Sequence, residues 1–148
     1  MDKIGEKGVE QMLKTVGEYY AHFCFGVFTL LAGIYVFFHL GYLDDPRVTP
    51  PPPPIGFEHE ALQFADDWWF AGLLVVSGVV LLVGVFWDSR TCRNVGLIMI
   101  APLYGALSVA FMWRGLFDFR FNLTWVFAGL ALALLIGTAI RGDYYHTH

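Results

Sequence analysis

"WWFAGLLVVSGVVLLVGVFW", residues 68–87, is a run of 20 residues without one ionisable side chain, closed at both ends by tryptophan. Wound as a helix at about 1.5 Å per residue, it is roughly 30 Å long, the thickness of a bilayer's hydrocarbon layer. Tryptophan at each end is the pattern of rings seated at headgroup level. A buried strand is much shorter, so this stretch predicts a membrane-crossing helix.

Three more runs of the same character flank it: residues 19–43, 95–113 and 123–140. None contains Asp, Glu, Lys or Arg, and Tyr19, Tyr20, Tyr42, Trp113 and Trp125 lie near their ends. The predicted fold is therefore all-α: an integral membrane four-helix bundle in a single membrane domain spanning residues 1–148. The first run is far longer than the roughly 7–15 residues of a signal-peptide core, and no small-x-small cleavage motif follows it, so it is expected to be retained. Composition agrees. Of 148 residues, 57% are apolar and only 15% charged, where soluble domains carry about 25%. The net charge of −4 comes without a basic patch, so nucleic acid is not an expected partner. The bilayer is.

Four crossings put both termini on one side. That side holds Lys3, Lys7, Lys14, Arg90, Arg93 and Arg141; the other holds Arg47, Arg114 and Arg120. The positive-inside bias then predicts both termini on the cytoplasmic or matrix side of a bacterial or mitochondrial inner membrane.

The connection at residues 44–67, "DDPRVTPPPPPIGFEHEALQFADD", falls on the outer side. Pro50, Pro51, Pro52, Pro53 and Pro54 cannot form a helix, and favour polyproline II at about 3.1 Å per residue, a stiff spacer of roughly 15 Å. Arg47, Pro50 and Pro53 also fit a short proline-recognition pattern, but they face away from the cytosol where its readers work. Asp44, Asp45, Glu58, Glu60, Asp66 and Asp67 make the loop acidic. The proline run, with Glu58 and Glu60, reads as a docking element. After it, Phe57, Ala61, Phe64 and Trp68 share one helical face, which predicts a short interfacial helix. Residues 1–18 predict an amphipathic N-terminal helix, with Val9, Met12, Leu13 and Val16 on one face and a Glu10–Lys14 pair in support.

Lipid supplies no hydrophobic drive between helices, so crossings associate where small residues let backbones approach. The candidate packing residues are Gly26 and Gly33 in the first crossing, with Thr29 between them. Ala101, Gly105 and Ser108 serve the third, and Gly129, Ala133 and Gly137 the fourth. The second spreads its small residues over Ala71, Gly72, Ser77, Gly78 and Gly84. These seams suit packing within the chain or against another subunit. Pro102 should free the carbonyl of Ile98 and kink the third crossing. The short stretches at residues 87–94 and 113–122 predict antiparallel neighbours, with Asn122 capping the last helix.

Chemistry is sparse. Cys24 and Cys92 are expected on the reducing side, without a disulfide. Haem needs two axial ligands at matching depth; His22 has no mate in another crossing, whereas His39 and His59 are the one candidate pair. Neither "EHE" at 58–60 with its neighbouring aspartates nor "HTH" at the tail matches a metal-site spacing. No crossing carries a carboxylate, lysine or arginine for ion translocation, and no nucleophile–base or phosphate-loop motif occurs. No catalytic residue, metal or cofactor is assigned. The sequence therefore predicts a non-catalytic accessory subunit of a larger membrane complex, respiratory or photosynthetic. Its partners are other membrane subunits or copies of itself. The alternatives are a self-associating, holin-like permeabilising protein and a haem- or quinone-handling anchor.

Overall fold

The computed structural model describes residues 14–40, 64–117 and 123–144, and they are helical apart from short turns. Four long helices follow one another: α1 (Tyr20–Phe37), α2 (Trp68–Phe86), α3 (Arg90–Phe117) and α4 (Thr124–Tyr144). Three stretches are long and apolar enough to cross a membrane, namely Tyr20–Phe37, Trp68–Phe86 and Arg90–Trp113; Thr124–Ile140 is apolar and shorter. Among the described residues there is no strand. The chain is a helical membrane protein on this ground.

Helix ends do not coincide with the ends of the apolar runs. A helical stretch at residues 14–18 precedes α1 and is broken at Tyr19, whose φ of −108° and ψ of 34° leave the helical region. At its other end α1 stops at Phe37 and passes into a turn at residues 38–40. The third helix starts at Arg90, five residues before the apolar run opens, because Ser89 caps it. The Ser89 carbonyl accepts from Arg93 N at 3.1 Å and its Oγ accepts from Cys92 N at 3.4 Å. It runs through Pro102. The stretch predicted as an interfacial helix is described only from Phe64, where a 3₁₀ turn (Phe64–Asp66) leads into α2. The proline run, residues 1–13 and Asn122 lie outside the described residues.

Packing follows chain order. The most extensive contact is α1 on α2, then α2 on α3 and α3 on α4; α1 meets α3 and α4 only at a few points. The α1–α2 seam is antiparallel and regular. A Cβ on Gly26 would meet Leu82, one on Gly33 would meet Val75, and one on Gly78 would meet Leu30. Gly26 to Gly33 and Val75 to Leu82 are the same two-turn step taken in opposite directions, so the helices stay in register across it. Side chains from all four helices meet in one apolar cluster: Leu81, Leu97, Ile100 and Leu135, packed by Phe25, Ala101, Tyr104 and Leu132.

Candidate packing seams and an interfacial arginine

Close approach is concentrated on α2. Three of its contacts bring backbone against backbone: a Cβ on Gly78 would lie 2.7 Å from Leu30 N, one on Gly33 2.8 Å from Val75 N, and one on Gly84 2.6 Å from Arg93 N. Across α2 and α3, a Cβ on Gly96 would lie 2.9 Å from Leu81 Cβ. Real Cβ atoms do not approach this closely, so these positions admit only glycine at the present helix separation. The gain is dispersion and weak backbone contact along the seam, which is what holds helices together when lipid is as apolar as leucine.

The other small residues sit differently. Gly105, Gly129 and Gly137 have nothing within 4 Å of where a Cβ would be. Ala133 is exposed and Ala101 is half-buried beside the core cluster. The face α4 turns inward carries Ala128 and Leu135 instead. Ser108 reaches it directly, its Oγ donating to the Ala128 carbonyl at 3.1 Å. Thr29, fully buried between Gly26 and Gly33, is 3.2 Å from the Tyr104 hydroxyl, tying α1 to α3. The Tyr104 ring also meets Phe25 edge-on. Buried Ser77 satisfies itself on the Leu73 carbonyl one turn back.

Among the described residues the most polar local structure is the α2–α3 hairpin. Ser89 N donates to Gly84 O at 2.9 Å and Asp88 N to Val85 O at 3.3 Å, the two bonds of a Schellman closure. Its left-handed residue is Asp88, at φ 46°, where glycine is commoner. Arg93, one turn into α3, folds back over this closure. Its Nη1 donates to Gly84 O at 3.2 Å and to the Asp88 carboxylate at 2.7 Å. Its guanidinium carbon lies 3.8 Å from the centre of the Tyr19 ring. Only 5% of Arg93 is exposed. His22, also buried, meets the same ring edge-on with centroids 6.0 Å apart. One guanidinium thus joins the last turn of α2, the hairpin, the first turn of α3 and the break before α1. By sequence alone Arg93 is only an orienting charge. The signal for more was present in "WDSR" and "CRN", an acid and an arginine five residues apart across a tight turn, but nothing local names Tyr19 as the third partner.

His39, one of the two haem candidates, lies in the turn after α1. Its Nδ1 is 2.8 Å from the Tyr35 carbonyl and its ring stacks on Tyr35 with centroids 4.2 Å apart. It therefore satisfies a carbonyl that the end of α1 leaves open. His59 lies outside the described residues, as do Pro50 to Pro54, Glu58 and Glu60. At the head of α2, Trp69 Nε1 donates to Asp67 at 2.8 Å, and Phe64 packs on Trp69 and Phe70. Among the described residues no three His, Cys, Asp or Glu side chains converge as a metal site would require. Comparison with protein-family models, with curated proteins and with solved structures finds no match to this chain.

Proposed function

We propose that the chain crosses the membrane four times as a bundle and serves as a non-catalytic accessory subunit, packing against other membrane subunits. What carries the reading is the division of its small residues. Gly26, Gly33, Gly78, Gly84 and Gly96 are each pressed against a neighbouring helix of the same chain. Gly105, Gly129 and Gly137 have open space beside them, and Ala133 is exposed on the same helix as the last two. Small residues that save no space inside the chain are the ones another helix can approach. In this reading both termini share the cytoplasmic or matrix side, and the acidic proline loop docks on the other.

The test is purification of the tagged full chain in mild detergent, with native gels and mass spectrometry of what accompanies it. Stoichiometric heterologous membrane subunits are the expected result. A ladder of the chain alone, with lysis of expressing cells, would replace this reading with the self-associating, permeabilising one. Reporter tags at the two termini that fall in opposite compartments would refute the four crossings.

A further inference from the structure

Pro102 stands inside α3 without a backbone N–H. The carbonyl of Ile98, one turn back, therefore receives no hydrogen bond from the residue that would ordinarily supply it. Membrane helices answer such a gap with a tightened or widened turn at the proline, or with a donor from a neighbour. No altered turn is used here, for the helix is α-helical without interruption from Arg90 to Phe117. Exposed Asn94 is one turn before Ile98, but its side chain leans toward the N-terminus while the carbonyl points the other way. The neighbours in the chain lie on another face: Leu97 and Ile100 meet Leu81 of α2 and Leu135 of α4 in the core cluster. Ile98 is 71% exposed and Pro102 is exposed too, so the carbonyl between them opens outward.

Ile98, Pro102, Gly105 and Val109 follow at steps of four, three and four, one line along α3. Val109 is exposed, and nothing lies within 4 Å of a Cβ on Gly105. In hydrocarbon an acceptor without a donor costs several kcal/mol, and acyl chains carry no donor. A second copy of the chain is poorly equipped to provide one. Thr29, Ser77, Ser108 and Thr138 all bond within their own chain. Thr138 is the one near the level of Ile98, and its hydroxyl already donates to the Leu134 carbonyl at 2.8 Å. Tyr20 starts α1 at the same end of the bundle and leans toward its N-terminus, away from the hydrocarbon. Tyr35 and Thr124 stand at the opposite end.

We infer that the Ile98–Val109 stripe of α3 docks a transmembrane helix of a different subunit. That helix passes close at Gly105 and brings a serine, threonine or amide side chain to the Ile98 carbonyl. The docking rests on the accessory-subunit reading above, to which it gives a face and a donor.

Two polyleucine transmembrane peptides serve as probes, alike except for one serine placed a turn inside the headgroup level. Each carries a fluorescence acceptor for tryptophan and is titrated against the full chain in phosphatidylcholine vesicles. The serine peptide should bind about three- to twentyfold more tightly, the range of a hydrogen bond between membrane helices. Pro102→Ala returns an N–H to the Ile98 carbonyl and should erase that preference. Gly105→Leu should erase it by filling the approach, and Gly129→Leu on α4 should keep it. Equal binding of the two peptides to the unaltered chain, or a serine preference that survives Pro102→Ala, overturns the docking and leaves the accessory-subunit reading intact. So does a complex with heterologous subunits, isolated in mild detergent, that Pro102→Ala and Gly105→Leu leave undiminished. A complex made of this chain alone overturns both.

Discussion

Substitution of Gly78 by alanine tests the packing argument at its tightest point. The new methyl carbon would lie 2.7 Å from Leu30 N and 2.9 Å from both Leu30 Cα and Leu30 Cβ, where ordinary contact begins at 3.4 Å. Backbone atoms cannot rotate aside, so α1 and α2 must part by roughly 0.5–0.7 Å, a gap that forfeits about a quarter or more of each contact's dispersion well along the seam. The neighbouring contacts, Gly26 with Leu82 and Gly33 with Val75, lie two turns apart on the same line. They loosen together. Overpacking of this kind costs about 1–3 kcal/mol, against which alanine's better helix propensity returns at most about 1 kcal/mol. Gly129→Ala supplies the control, because its methyl meets nothing within 4 Å and only the propensity term remains. Unfolding both variants in mixed micelles by titration with a denaturing detergent, read by tryptophan fluorescence, should place Gly78→Ala below Gly129→Ala by about 1–3 kcal/mol, the propensity gain being common to both. A Gly78→Ala protein as stable as the Gly129→Ala protein would refute the claim that backbone contact with α1 demands glycine there.

Two further outcomes follow from buried polar contacts. Thr29→Val and Tyr104→Phe, measured singly and together in the same assay, should show a coupling of about 0.6–1.7 kcal/mol, the range for hydrogen bonds between membrane helices; additive effects would mean that the 3.2 Å contact contributes nothing. Asp88→Asn keeps a side chain that tolerates φ 46° but removes the charge opposite buried Arg93. It should cost about 1 kcal/mol, since Asp88 itself is largely exposed, and should speed amide exchange at the Tyr19 break. Asp88→Ala should cost about 1 kcal/mol more, for the left-handed backbone. Equal stability of the two Asp88 variants would remove the backbone part of the argument.

The helices themselves were legible because crossing a membrane is a property of local sums. A run of apolar residues about as long as the bilayer is thick declares itself whatever lies beside it. All-helical structure, the membrane-length spans, and the tight turn between residues 87 and 94 follow from such sums and from the turn residues. Their ends were less legible, since hydropathy marks where lipid stops and not where helix stops. Ser89 carries α3 through a polar turn that apolarity alone leaves outside it.

Partners belong to the tertiary structure. A four-residue spacing of small side chains states that they share a face and is silent on what lies opposite. Gly129, Ala133 and Gly137 have the most regular spacing in the chain, yet the inward face of α4 is the one bearing Ala128 and Leu135. The scattered Gly78 and Gly84 meet the closest neighbours. Arg93 makes the same point in charge: by itself it is a cation near a membrane surface, and only the fold supplies the carbonyl, carboxylate and ring that let it be buried. Periodicity is written along one helix, whereas a contact needs two, and which pair of faces meets is decided by the whole bundle at once.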